Sequence, residues 1–121
     1  MDSSFKNTLS VVIPTFNEEG NIELLYKQLM EALNPLELTA LELIFVDDGS
    51  HDDSLKIIKG LAKNDKQVKY ISFSRNFGHQ LALKAGLDHS IFHGVVSLDA
   101  DLQHPVDLIP DMIKKWRSGA D

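Results

Sequence analysis

The chain has 121 residues, which is the size of one ordinary domain, and its 43% hydrophobic and 25% charged composition excludes a disordered or fibrous protein. Its formal net charge of −6 argues against a general nucleic-acid binder, and the absence of cysteine excludes disulfides and thiolate metal sites. No apolar run reaches the length of a membrane span, so we expect a cytoplasmic domain.

The first half of the chain predicts two strands separated by a helix. Residues 9–15 (LSVVIPT) form a short apolar run of the kind that is covered on both faces of a sheet. Apolar residues spaced as on one helix face occupy residues 19–33, and Asn17 is the predicted cap of this helix. Residues 41–46 (LELIFV) form a second apolar strand.

The second half continues this alternation. Ser50 and Asp53 have the spacing of a capping box, which predicts a helix that turns Leu55, Ile58 and Leu61 inward. A third strand is predicted at residues 68–73. The helix that follows, over residues 77–89, carries Leu81 and Ala85 with small neighbours, and a fourth strand ends at Asp99. A last amphipathic helix is expected after Pro105; its apolar positions are Ile109, Met112, Ile113 and Trp116.

Strands that alternate with helices predict an α/β fold with a mostly parallel, Rossmann-like sheet between helical layers. Ligands bind such sheets outside the carboxyl ends of the strands. Four polar clusters fall at those ends, at residues 15–18, 47–50, 74–78 and 99–103. Their convergence on one edge predicts a binding site there.

The last cluster, in the stretch VVSLDADLQHP, predicts a metal site. Asp99 and Asp101 are two residues apart, so in an extended segment their side chains share a face, and Gln103 continues the spacing. Such oxygen ligands favour Mg²⁺ or Mn²⁺ over zinc, with water or substrate phosphate completing the shell. The alternative is that Asp-x-Asp only caps the next helix.

The other clusters offer further candidate ligands. Asp47 and Asp48 could accept hydrogen bonds from a nucleobase and a ribose, although DDGS by itself fits a capped strand-to-helix turn better. Arg75 could pair with a diphosphate or form only a surface ion pair. His79 lies near the predicted site, but a lone histidine is more often structural. No GxGxxG, P-loop or GxSxG motif is present.

Four stretches in order resemble the family 2 glycosyltransferases of GT-A fold: VVIPTFNEEGNI, LIFVDDGSHDDS, SFSRNFGHQLALKAGLDH and SLDADLQHP. The resemblance is to the polyprenyl-phosphate branch, which includes dolichol-phosphate mannosyltransferase and bactoprenol glucosyltransferase, and RNFGHQ is most similar to the latter. The four motifs cover nearly the whole chain. Together they are specific, whereas each alone is weak.

The resemblance implies roles for individual residues. Pro14, Phe16 and Glu18 would line the nucleotide pocket, and Asp48 would contact the base. Asp99 and Asp101 would be the catalytic DxD pair that holds the metal and the donor diphosphate. The remaining implied contacts are Gln103 as a metal ligand and Arg75 as a base or phosphate contact.

The implied reaction transfers a sugar, with inversion, from a nucleotide-sugar such as UDP-glucose to a polyprenyl phosphate. Family members extend beyond the metal motif into an acceptor half and often into membrane helices, so residues 1–121 would be one truncated donor-binding domain. We therefore expect weak donor binding and little transferase activity from this chain alone. We also expect self-association, and a full-length relative at the cytoplasmic membrane face.

Two rival interpretations of the same pattern remain. A receiver-type signalling module also gathers acids around Mg²⁺ at strand ends, but in that class acids end the first and third strands, where this chain has Thr-Phe-Asn and Ser-Arg-Asn. A nucleotidyltransferase shares the combination of nucleotide and metal, and only the acceptor half would separate it on chemical grounds.

Overall fold

Strands and helices alternate along the chain in a computed structural model, which describes residues 7–101 and 111. Four strands and three helices are present in this part, and a short 3-10 turn follows the first helix. Their bounds are β1 Thr8–Thr15, α1 Ile22–Leu33, the 3-10 turn Asn34–Leu36, β2 Ala40–Asp47, α2 Ser54–Asn64, β3 Val68–Ser72, α3 His79–His89 and β4 Gly94–Ser97. The predicted α/β class is confirmed.

Within the described residues the strands form one parallel sheet in the order β3-β2-β1-β4. Because β1 and β2 are central, they can be covered on both faces, which explains their continuous apolar sequences. Residues at the ends of these two strands are paired, Thr15 with Asp47. The polar segments that follow β1 and β2 therefore leave the sheet side by side.

Helices cover both faces of the sheet. Alternation along β2 turns Phe45 towards α1 and α2, and Ile44 and Val46 towards α3. The larger core lies on the α1 and α2 face, where the helices contribute the buried side chains Ile22, Leu25, Leu29, Leu33 and Ile58. Of the three α2 residues predicted to point inward, Ile58 is fully buried, whereas Leu55 and Leu61 are partly buried.

Small residues let α3 approach the sheet closely. Ala82 and Gly86 are buried against Val12 and Val46, and a Cβ on Gly86 would stand 2.2 Å from Val12 Cγ1. Leu81 is not part of this contact, since half of its surface is exposed. The predicted apolar face of this helix was therefore wrong at Leu81, because the short distance to the sheet admits only small side chains.

The two predicted helix caps were wrong. Asn17 adopts a φ of +53° four residues before the cap position of α1, which is Asn21. The cap position of α2 is Asp53, which makes no side-chain capping hydrogen bond, so the Ser50–Asp53 capping box does not form. Asn17 and Ser50 are instead partners in a contact between loops, described below.

The predicted helix after Pro105 and the candidate ligand Gln103 lie outside the described residues. Among the residues that are described, we find no helix with the length and apolar character that crossing a membrane requires.

Candidate functional site

A cleft opens at the carboxyl ends of β1, β2 and β4, and three of the four predicted polar clusters contribute lining residues to it. Its volume is about 130 Å³, below the roughly 300–1,000 Å³ of complete small-molecule pockets. The lining residues are Pro14, Thr15, Phe16, Glu18, Asp48, His79, Ala82, Asp99, Ala100 and Asp101.

The loop after β1 is joined to the loop after β2 by hydrogen bonds in both directions. The N–H of Asn17 donates to Ser50 Oγ at 2.9 Å, and Asn17 Oδ1 accepts from the N–H of His51 at 2.8 Å. The N–H of Glu18 donates to Ser54 Oγ at 2.8 Å. These bonds hold Phe16 and Glu18 at the mouth of the cleft, so the positive φ of Asn17 has a structural explanation.

Asp52 adds to the same contact. Its carboxylate accepts hydrogen bonds from the N–H groups of Glu19 and Ser54. Burial by itself would raise the pKa of Asp52, but the hydrogen bonds from Ser54 and Glu19 outweigh it and lower the pKa. The carboxylate is therefore ionised at neutral pH and keeps the two loops together.

Asp48 links the end of β2 to the beginning of α3. Its side chain is buried, with Oδ1 accepting from the N–H of Phe77 at 2.7 Å and Oδ2 accepting from the N–H of Gly78 at 3.0 Å. Asn76 Nδ2 donates to Oδ2 at 3.3 Å. Asp48 thus lines the cleft and also anchors the turn that carries the first residue of α3.

Asp47 and Asp48 face opposite sides of the sheet, so they cannot act as a pair. Asp47 lies on the face of α1 and α2 and is absent from the cleft lining of the described residues. Its Oδ2 accepts from the N–H of Ser50 at 3.3 Å, whereas its buried Oδ1 has no hydrogen-bond partner there. A buried carboxylate oxygen without a hydrogen-bond partner is costly to stability.

Arg75 lies outside the cleft lining. Its guanidinium carbon is 4.7 Å from the centre of the Phe77 ring, and that ring packs edge-on against Phe73. The cation and the ring attract each other, which positions the arginine beside the loop before α3.

Asp99 and Asp101 both line the cleft, together with Pro14 and Phe16. Asp99 and Asp101 follow the end of β4 at Ser97 by two and four residues. Within the described ranges, no group of three or more His, Cys, Asp or Glu side chains could hold a metal ion. Two carboxylates still fit Mg²⁺ or Mn²⁺, because such ions commonly take one or two carboxylates and complete the shell with water and phosphate.

His79 is the cleft residue that sequence reasoning did not select. It is the first residue of α3, and its Nε2 lies 2.7 Å from Asp99 Oδ1. The contact joins residues 20 positions apart on different elements. The available sequence signal was that RNFGHQ follows a predicted strand and precedes a predicted helix, but this does not indicate a specific partner for the histidine.

Residues 10–121 match the profile described as glycosyl transferase family 2, so the chain belongs to that family. Among sequence relatives, the bactoprenol glucosyl transferase of Shigella phage SfX is 46% identical over 115 residues. The match covers 93% of this chain and 37% of the relative. The chain thus spans about a third of the length of the curated relatives it matches.

Two solved structures share the fold. A mannosyltransferase from Pyrobaculum calidifontis, in complex with GDP-Man and Mn²⁺, has a TM-score of 0.75 and 25% identity over 93% of this chain and 32% of its own. Glucosyl-3-phosphoglycerate synthase from Mycobacterium tuberculosis, in complex with Mn²⁺, UDP and glucosyl-3-phosphoglycerate, has a TM-score of 0.66 and 29% identity over 92% of this chain and 40% of its own. The fold is therefore of the GT-A type, as predicted. Nothing in these similarities supports a receiver module or a nucleotidyltransferase.

Proposed function

We propose that this chain is the donor-binding part of a glycosyltransferase that moves a sugar, with inversion, from a nucleotide-sugar to a polyprenyl phosphate. The observation that carries the proposal is the cleft itself. Pro14 and Phe16 line the same cleft as Asp99 and Asp101, so it combines apolar surface with two hard oxygen ligands. A nucleoside diphosphate has the matching combination of a flat base and a charged diphosphate.

Asp99 and Asp101 are the proposed holders of Mg²⁺ or Mn²⁺, with Gln103 as a further ligand. Both mannosyltransferase and synthase relatives were crystallised with Mn²⁺, which supports this choice. When bound, the cation offsets the negative charge that develops on the departing nucleoside diphosphate. The carboxylates are catalytic in the sense that they hold the diphosphate in position for departure.

The proposed nucleotide contacts come from three loops. Phe16, 39% exposed, offers a ring on which a base can stack, beside the buried Pro14. Glu18 is partly buried and held by a hydrogen bond from Asn21 Nδ2 at 2.7 Å, so its carboxylate is positioned for a ligand hydroxyl. Asp48 lines the cleft and is a further proposed contact, whereas the proposed contacts from Asp47 and Arg75, which are absent from the described lining, depend on the sequence prediction.

A lipid phosphate acceptor requires little acid–base chemistry from the protein. In the transfer, an acceptor phosphate oxygen bonds to the anomeric carbon while the bond from that carbon to the diphosphate oxygen breaks, and its electron pair leaves with the diphosphate. A phosphomonoester has a second pKa near 6 and is largely ionised at pH 7, so no proton must be removed during attack. The relatives named bactoprenol glucosyl transferase support this acceptor class.

The proposed acceptor also indicates where in the cell the protein acts and which partners it has. A polyprenyl phosphate resides in a membrane, so we place the complete protein at its cytoplasmic face, where nucleotide-sugars are available. We do not expect nucleic acid as a partner, because the net charge is −6.

An NMR titration tests the proposal. We expect UDP or GDP to shift amide resonances around the cleft, and Mg²⁺ to increase the affinity for one of them. In the double variant D99N/D101N, the gain in nucleotide affinity that Mg²⁺ produces should be smaller by a factor of about ten or more. The reason is that amides are weaker ligands for hard cations than carboxylates. The control D88N changes an exposed acid that pairs only with Lys84 on the surface of α3.

Two results would contradict the proposal. One is the absence of nucleotide-induced shifts at the cleft, with and without Mg²⁺. The other is a Mg²⁺ effect that persists unchanged in D99N/D101N.

A further inference from the structure

The contact between α3 and the end of β4 is the feature that the proposed function leaves unused. His79 Nε2 and Asp99 Oδ1 are 2.7 Å apart, at the distance of a strong hydrogen bond. In a hydrogen bond to an ionised carboxylate, which only accepts, the ring nitrogen is the donor. The ring nitrogen in this contact is Nε2.

The position of His79 is itself fixed by hydrogen bonds between Asp48 and the turn before α3. Asp48 accepts the N–H groups of Phe77 and Gly78, the two residues immediately before His79. Gly78 has a φ of +104°, so the chain turns sharply at this point before α3 begins. Asp48 therefore determines where α3 starts, and its first side chain contacts Asp99.

The restraint from α3 is important because Asp99 follows a short strand at the edge of the described sheet. β4 has four residues and ends at Ser97, so regular pairing with β1 does not extend to Asp99. A side chain attached to the packed helix α3 can supply the restraint that the sheet does not. Since a carboxylate offers about four acceptor positions on two oxygens, a hydrogen bond from His79 and a metal can share the same group.

We infer that His79 is a positioning residue, which holds the Asp99 carboxylate in the orientation that binds the divalent cation. The inference rests on the proposed function and extends it to a residue outside the acidic motif. Hydrogen bonds to metal-binding side chains commonly change metal affinity by about 10- to 100-fold when removed. His79 is 58% exposed and Asp99 37%, so we expect the lower end of this range, about tenfold.

The same contact between His79 and Asp99 would have the opposite effect on metal binding if the histidine competed with the cation. The experiment distinguishes these two cases. If His79 merely occupied an acceptor position of Asp99, it would compete with the cation, and its removal would strengthen metal binding. Positioning and competition therefore predict changes of opposite sign in the same measurement.

The test is Mn²⁺ binding to the chain at one fixed pH, with UDP present. Paramagnetic broadening of NMR resonances around the cleft detects weak binding and does not depend on catalytic turnover. We expect H79A to require about tenfold more Mn²⁺ for the same broadening. H79Q should recover most of the loss, because the glutamine amide nitrogen can donate from nearly the same place as Nε2. UDP binding without metal is measured for each variant, so that only the Mn²⁺-dependent part of the change is compared.

H89A is the matched control. His89 ends the same helix, its Nδ1–H donates to the carbonyl oxygen of Ala85 at 2.8 Å, and it is not part of the cleft lining. Circular dichroism of each variant shows that the helix remains folded.

Four outcomes would overturn the inference. H79A could bind Mn²⁺ as the wild type does, H79A could bind it more tightly, or H79Q could fail to recover the affinity of H79A. If the wild-type chain gives no broadening at the cleft, the proposed metal site fails together with this inference. The first three outcomes leave the metal site intact and remove only the role of His79.

Discussion

Gly49 occupies a position at which the surrounding backbone leaves no room for a side chain. Its φ is +74°, and a Cβ would stand 2.2 Å from the carbonyl carbon of Arg75 and 2.5 Å from the nitrogen of Asn76. These atoms are backbone, so the clash cannot be relieved by a side-chain rotation. The close approach brings the loop after β2, which contributes Asp48 to the cleft, against the loop after β3.

We predict that G49A lowers the free energy of unfolding by at least about 2 kcal/mol, since the positive φ alone costs about 1–2 kcal/mol for a residue with a Cβ. Urea denaturation measures the change. G20A is the control, because a Cβ on Gly20 meets nothing within 4 Å. Equal stability of G49A and G20A would contradict the prediction.

Asp48 provides a second prediction at the scale of one residue. In D48N an amide NH₂ replaces one carboxylate oxygen and faces an N–H donor, either that of Phe77 or that of Gly78. We expect a loss of about 1–3 kcal/mol, the cost of a buried donor left unsatisfied. Hydrogen exchange should show faster exchange at the two amides. Unchanged protection, matching the surface control D88N, would exclude the anchoring role.

At the scale of elements, the packing of α3 on the sheet depends on the missing side chain of Gly86. G86A would place a Cβ 2.2 Å from Val12 Cγ1 and 3.2 Å from Val46 Cγ2, and both side chains lie in the packed core. Overpacking of this kind costs about 1–3 kcal/mol, against a gain of up to about 1 kcal/mol in helix propensity. We therefore predict net destabilisation.

Gly60 in α2 provides the matched comparison. It is also inside a helix, but a Cβ there meets nothing within 4 Å, so G60A should stabilise the protein by up to about 1 kcal/mol. Thermal or urea denaturation of the two variants should give changes of opposite sign. Changes of the same sign would show that α3 can move away from the sheet at little cost.

A second element-scale feature is a buried carboxylate on β2, at the opposite end of the sheet from the cleft. Glu42 is 1% exposed and accepts hydrogen bonds from Ser10 on β1, from Lys69 on β3 and from the N–H of Ile91 before β4. Ser10 Oγ in turn accepts from the N–H of Phe92. One side chain therefore joins β1, β3 and the segment that leads into β4.

This network makes stability depend on pH. Burial by itself would raise the pKa of Glu42, but hydrogen bonds from Lys69, Ser10 and Ile91 outweigh it, and the pKa lies below the usual 4.5. A pKa that is lower in the folded state contributes stability above the unfolded value, and this contribution is lost as the pH falls through the folded value.

We predict that E42Q lowers the free energy of unfolding at pH 7 by about 1–3 kcal/mol, most of it through the buried contacts because Lys69 is half exposed. The difference between E42Q and the wild type should shrink as the pH falls below about 4.5. Urea denaturation at pH 7 and at acid pH checks both statements. A difference that is constant with pH would contradict them.

At the scale of the molecule, the described part of the sheet has two edge strands, β3 and β4. Apolar side chains are exposed next to β4, among them Ile91 at 68% and Val95 at 42%. Strand edges with apolar neighbours favour pairing with another chain. Self-association therefore remains our prediction: sedimentation should show mass rising with concentration, and less so for V95K. A monomer at millimolar concentration, with V95K indistinguishable from it, would contradict this.

The sequence by itself determined the fold class and the general location of the site. Continuous apolar runs marked β1 and β2 as central strands, and the alternation with helices required a parallel sheet. Since parallel strands end on the same edge, polar residues at 15–18, 47–50 and 99–101 had to converge there. These inferences succeed because they depend on periodicities within single segments.

Only the tertiary structure decided which side chains act together. Asn17 and Ser50 have the local pattern of helix caps, yet they bond to each other across 33 residues. Asp47 and Asp48 are adjacent in sequence but lie on opposite faces, and His79 reaches Asp99 from another element. Local spacing cannot specify such pairs, because a polar side chain takes whichever partner the packing of distant elements brings within hydrogen-bond distance.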